Sequence, residues 1–144
     1  MKLRLASIPL ALALAACATT AHDGYRDTGP YSEKLALYRA HAVEEVGSIP
    51  FSGTIDRWTG LGDRALAVWT SPSRAWLLEL GASCPDLEHT YGIRFDSRGG
   101  RISAGFDSVV PVSGATRMPC RIRSIHRRDV EAMRAAERAQ DSGT

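Results

Sequence analysis

The side chains able to do chemistry in this sequence fall into a few small groups, and each group suggests a different kind of site. His126 with Asp129, and His89 with Asp86, have the composition of a base and the acid that orients it, as a hydrolytic centre requires. Neither pair has an obvious nucleophile partner. His41 and Glu45 stand four residues apart and could share a metal on one helix face, but the spacing supplies no third ligand. A Gly-x-Ser-x-Gly elbow, a phosphate-cradling glycine loop and a His-Glu-x-x-His zinc motif are all missing. The sequence therefore assigns no catalytic residue, no metal and no cofactor.

A different chemistry is written between Arg117 and Arg128, where five arginines and His126 occur without an acidic residue. On a strand, Arg121 and Arg123 project to one face and could grip a phosphate or carboxylate with forked guanidinium donors. The plainer role for such a run is to blunt an exposed strand against edge pairing. Trp58, Trp69 and Trp76 could line an apolar pocket if two share a sheet face, although core packing is the more usual fate of tryptophan.

The three cysteines, Cys17, Cys84 and Cys120, are best read together with the first residues. Lys2 and Arg4 precede the apolar run from Leu5 to Leu14, followed by Ala15 and Ala16. That is the layout of an export signal over residues 1–16. The apolar run is too short to span a bilayer, which takes about 20 helical residues. Export places the chain where disulfides form and persist, so Cys84 and Cys120 are expected to bridge. Two free buried thiols are the alternative.

Removing the signal also changes the charge balance. The formal net charge is +2, but without Lys2 and Arg4 the 18 basic side chains become 16, equal to the 16 acidic ones. A neutral body that has left the cytoplasm gives no argument for nucleic acid as a partner.

Leu14-Ala15-Ala16-Cys17 resembles the lipobox of bacterial lipoproteins. The resemblance implies that Cys17 carries diacylglycerol, becomes the first mature residue and usually gains a third acyl chain. Several chains make such an anchor stable, because each buried methylene contributes about 0.8 kcal/mol and one chain alone is marginal. Ala18, in place of Asp, implies the periplasmic face of the outer membrane by similarity to enterobacterial sorting. An ordinary signal peptide cleaved after Ala13 and Ala15 would instead leave Cys17 as an odd thiol.

The elements that must hold these residues follow from pattern. Residues 17–31 read as the lipidated cysteine and a flexible tether rich in small and polar residues. Residues 32–130 read as one globular domain, with residues 131–144 as the end of a closing helix and a tail. Ser32 is expected to cap a helix bearing Leu35, Tyr38, Ala42, Val43 and Val46 and stopping at Gly47.

Strands follow at 54–59, 64–70 and 74–80, the last two apolar on both faces and paired as a hairpin across Ser71-Pro72-Ser73. Gly81 to His89 reads as a loop or short helical turn. Residues 91–96 and 102–107 each alternate apolar and polar, and Gly99-Gly100 between them predicts a hairpin. Val109 to Met118 reads as a loop. A last strand starts at Cys120, where Ile125 breaks the alternation and hints at a bulge, and Asp129 can cap a final helix through Gln140. The sum is an α+β domain: an N-terminal helix, five to six short antiparallel strands in a curved sheet or half-open barrel, and a C-terminal helix.

Ile49-Pro50-Phe51, the run Trp69 to Leu78, Cys84-Pro85-Asp86-Leu87, Phe106-Asp107 and Cys120-Arg121-Ile122 resemble a proteobacterial family of small exported proteins classed as a domain of unknown function. The similarity spans about Ser32 to Val130 and implies no activity. Taken together, the sequence predicts a lipid-anchored envelope protein that binds or scaffolds. Its expected partners are the membrane through Cys17 and an envelope protein, a lipid headgroup or an acidic polymer. The rivals are a small hydrolase using a His/Asp pair and an anion-binding module using Arg121 and Arg123.

Overall fold

A computed structural model describes residues 31–112 and 117–143. The signal segment, Cys17 and the tether up to residue 30 lie outside the described residues. In chain order the elements are α1 (Tyr31–Ala40), β1 (Ala42–Val46), β2 (Ser48–Pro50), β3 (Arg57–Gly60), β4 (Ala65–Ser71), β5 (Arg74–Leu80), a 3-10 turn (Pro85–Glu88), β6 (Ile93–Asp96), β7 (Arg101–Ser103), β8 (Ser108–Pro111), β9 (Cys120–Arg128) and α2 (Val130–Asp141). The main sheet runs β3-β4-β5-β9-β8-β6, with β1 also paired to β9, and β2 and β7 form a separate ribbon. All pairings are antiparallel. Two helices flank this curled sheet, so the α+β half-barrel expected from the sequence is the fold. Among the described residues, no helix is long and apolar enough to cross a membrane.

The central hairpin explains why its strands are apolar on both faces. Leu66, Val68, Leu78 and Leu80 point into the concave side and pack with Ile49, Phe95, Ile102, Val109, Ile122 and Ile125. Ala65, Ala67, Trp69, Ala75 and Leu77 point the other way, toward Leu35 and Tyr38 of α1 and Val130 and Met133 of α2. Three alanines on that side let the helices approach the sheet closely enough to seat Tyr38 edge-on against Trp69, with ring centroids 6.2 Å apart.

β9 is the strand every layer depends on. Its residues 125–128 lie between β5 and β1, while Cys120 and Arg121 pair with β8. In its pairing with β5, Leu80 faces Ile122 and Glu79 faces Ser124, which leaves Arg123 as the extra residue of a bulge. That bulge returns Ile122 and Ile125, three apart, to the same concave core. Asp129 then starts α2, its carboxylate accepting a hydrogen bond from the Ala132 amide at 2.9 Å.

Three local expectations are corrected. The first helix ends at Ala40, and Ala42 to Val46 form β1 rather than two further helical turns. Val43 and Val46 are β-branched, and β9 offers an open edge whose Arg127 pairs with Glu44, so sheet pairing outweighs helix continuation. The predicted hairpin of residues 91–107 does not form. Gly99 and Gly100 do adopt positive φ, both 70°, but β6 pairs with β8 and β7 pairs with β2. Ile49 faces Ile102 in that ribbon and both are fully buried, which a β6–β7 pairing would forgo. Finally, the expected loop from Val109 contains β8 through Pro111, because Val109 and Val110 fill the concave side and the rim beside it.

Candidate functional site

Cys84 and Cys120 are placed as the sequence suggests. They form a disulfide with Cα atoms 5.9 Å apart, joining the 3-10 turn to the first residue of β9. Cys84 is buried in the concave core, so the bridge is also part of the packing.

Two of the histidine–acid pairings that the sequence offered, His126 with Asp129 and His41 with Glu45, are not formed. His41 ends α1 in a turn and Glu45 lies on β1, so the helical spacing that would have let them share a metal is gone. Among the described residues no group of three metal-ligating side chains occurs. His89 follows the 3-10 turn, its backbone amide bonded to the Asp86 carbonyl. The structure does add a neighbour for His126: its Nε2 lies 3.3 Å from Ser124 Oγ. Asp129, the proposed orienting acid, instead caps α2. The carboxylate beside Ser124 is Glu79, which contacts the serine rather than the histidine and accepts hydrogen bonds from Arg39 at 2.7 Å and Arg123 at 3.1 Å. Burial pushes the Glu79 carboxyl up, but Arg39 and then Arg123 outweigh it and hold the group below the usual carboxylate range.

Arg121 and Arg123 take separate partners. Arg121 donates to the carbonyls of Gly105 and Phe106, at 2.9 and 3.0 Å, while Arg123 pairs with Glu79. The bulge at Arg123 separates their roles. The tryptophans divide as well. Trp58 and Trp76 flank Val68 on the concave face, and Trp69 points toward the helices. Trp76 donates its indole N–H to Thr70 Oγ1 at 3.0 Å.

The arginines that do converge lie at the other end of β9. A groove of about 610 Å³ opens where the β4–β5 turn and the last residues of β9 meet one face of α2 from Val130 to Arg138. Ser73, Arg127, Arg128, Arg134 and Arg138 line it together with Asp129, Val130 and Glu131. A second groove of about 370 Å³ shares Ser73, Arg127 and Arg128 and is completed by Pro50, Arg74, Ala75 and Trp76. The two grooves together present five arginines against two carboxylates, and one of those carboxylates is occupied by its helix cap.

Arg128, common to both grooves, is the charged group with the most unpartnered buried nitrogens among the described residues. It is only 3% exposed. Its guanidinium lies over the Tyr38 ring at 4.7 Å and one nitrogen lies 3.3 Å from the Met133 sulfur. Nε and the other terminal nitrogen have no hydrogen-bond partner among the described residues. Burial pulls its pKa down to about 10, against the opposing pulls of Tyr38 and Glu137, so it remains a cation at neutral pH. Tyr38 is pushed up to about 12, chiefly by burial, and stays neutral beside it. A buried cation normally keeps a carboxylate partner, because desolvation without one is costly. Arg128 has cation–π and sulfur contacts in that place.

Sequence reasoning noted the arginine run but aimed the fork at its first half. The signal for the second half was parity: after the bulge, Arg128 shares a register position with Ala75, on the helix-facing side of the sheet. Comparison with curated proteins and with solved structures returned no match. The chain belongs to the family of unknown function DUF6491, whose model matches residues 1–144.

Proposed function

We propose that this protein is held in the bacterial envelope by lipid on Cys17 and works without catalysis, binding an anionic envelope ligand or partner in the arginine-lined groove between β9 and α2. The observation that carries the binding role is Arg128, a buried cation without a carboxylate partner that lies behind two grooves holding four further arginines. An anion seated there would supply the missing negative charge at short range and in a poorly screened setting. The Cys84–Cys120 bridge supports the anchor, since it leaves Cys17 as the odd cysteine beside an export signal.

Two measurements test the proposal. Metabolic labelling with palmitate should mark the wild type and not Cys17→Ser, and an unlabelled wild type would remove the anchor. Crosslinking in intact cells should trap an anionic partner that is lost on Arg127→Gln with Arg138→Gln. Unchanged capture in that double variant would remove the groove.

The contact between His126 and Ser124 favours a second reading, a small hydrolase with Ser124 as nucleophile. Neither groove includes these residues, and the neighbouring acid is committed to Arg39 and Arg123. Hydrolysis of an envelope ester that disappears in both Ser124→Ala and His126→Ala would favour the enzyme over the binding module.

A further inference from the structure

The two grooves that meet at Arg128 differ in character, and the difference defines a ligand class. The larger one is rimmed by Arg127 at the end of β9 and by Arg134 and Arg138 along α2. The smaller one lies against Trp76 and Pro50, an aromatic ring and a proline ring. Trp76 and Arg127 are direct cross-strand partners, so the apolar wall and the cationic rim are adjacent residues on one sheet face.

We infer that the two grooves form one continuous site for an amphiphilic anion, with a phosphate or carboxylate head among the arginines and an alkyl tail laid along Trp76 toward Pro50. The inference rests on the anion-binding role proposed above. Each groove falls within the range of about 300–1,000 Å³ common for small-molecule sites. Arg127 is the residue that turns between the two. Its bond to Glu44, 3.3 Å long, joins two side chains that are each about half exposed, and such solvent-screened pairs contribute little. It can therefore exchange Glu44 for a ligand head at little loss. Arg134 is already held in place by its bond to the Pro72 carbonyl at 2.9 Å, and Arg128 sits behind the junction as a fixed charge. Asp129 and Glu131 also line the cationic groove; Asp129 faces its own helix cap, and Glu131 lies in the first turn of α2.

The test is calorimetric titration of the purified protein with monoalkyl phosphates from methyl to octyl at low salt. Each added methylene should tighten binding by about two- to fourfold until the tail outgrows the groove. Octanol should bind at least tenfold more weakly than octyl phosphate. Arg127→Gln with Arg138→Gln should weaken every member of the series tenfold or more. Trp76→Ala should flatten the dependence on chain length, and so should Pro50→Asp, whose position is exposed and leaves the core packing intact.

Binding of methyl phosphate with no gain along the series would overturn the amphiphile while leaving the anion site standing. Failure of every phosphate would remove both. Octanol binding as tightly as octyl phosphate would overturn the shared site as well. Recovery on phosphatidylcholine vesicles containing phosphatidic acid, above that on pure phosphatidylcholine, assigns the ligand to the membrane. Binding confined to the soluble alkyl phosphates assigns it to a diffusible amphiphile.

Discussion

Replacing Arg128 by methionine is expected to make the protein more stable and less able to bind. The burial that pulls this guanidinium from its ordinary value to about 10 corresponds to about 3 kcal/mol against the charged form. Methionine keeps the volume of the arginine stem and removes that penalty. The change also forfeits the cation–π contact with Tyr38, 4.7 Å from the ring, which is worth about 2 kcal/mol when desolvated. The balance is a gain of about 1 kcal/mol, or about 4 °C in melting temperature for a domain of this size. Urea denaturation read by circular dichroism measures it, provided the slope of the transition is unchanged. Arg128→Ala separates charge from volume, because it removes the same cation but leaves a cavity and should fall about 2 kcal/mol below the methionine variant. A methionine variant less stable than wild type by more than about 2 kcal/mol would refute the reasoning, since it would mean that the guanidinium donors are satisfied in the native protein. Anion affinity should fall tenfold or more in the same variant, so that stability and binding move in opposite directions.

Reduction of the Cys84–Cys120 bridge, or its replacement by serines, should lower stability by about 4 kcal/mol for a loop closed over 36 residues, read as a drop in the urea midpoint. Glu79→Gln tests the ion pairs that tie α1 and β9 to β5. The folded carboxyl lies below its unfolded value of about 4.3, so its contribution is present above that pH and is lost as pH falls through the lower, folded value. The wild type should therefore lose about 1 kcal/mol more than the glutamine variant between pH 6 and about pH 3, by urea titration at each pH. Asp129→Ala should cost about 1 kcal/mol by removing the cap from α2, and hydrogen exchange should accelerate first in the amides of its opening turn.

What the sequence made legible was the orientation of side chains rather than the identity of partners. Alternation in residues 91–96 and 102–107 marks Phe95 and Ile102, which are buried, but equally Tyr91 and Phe106, which lie beyond the strand ends and are exposed; Gly99 and Gly100 take the positive φ that a reversal requires. Alternation says nothing about which edge a strand joins. β6 found β8 and β7 found β2 because burial of Ile49 against Ile102 is a contact more than 50 residues apart, invisible to local pattern. The same limit explains Ala42 to Val46. A helical period can be drawn through Leu35, Tyr38, Ala42 and Val46, and only the edge of β9, 80 residues later, selects the extended form for the last five residues.

The arginines show how one unpaired residue redirects a chemical inference. Along a regular strand Arg121 and Arg123 face together, while Arg127 and Arg128 face apart, which made the first pair look like the fork. The bulge at Arg123 gives each member of that pair its own protein partner: two carbonyls for Arg121 and Glu79 for Arg123. Beyond the bulge, facing apart becomes the useful property. Arg127 stays at the surface beside Trp76, where it can change partners, and Arg128 turns under the helices, where water cannot screen it. One strand thus carries a surface cation and a buried cation back to back at the same groove junction, and α2, capped by the very next residue, adds Arg134 and Arg138 at successive turns of one helix face. The break in parity at Ile125 was visible in the sequence. Its consequence for the arginines on either side depended on knowing that Ala75 and Trp76, on a strand 50 residues away, would face Arg128 and Arg127.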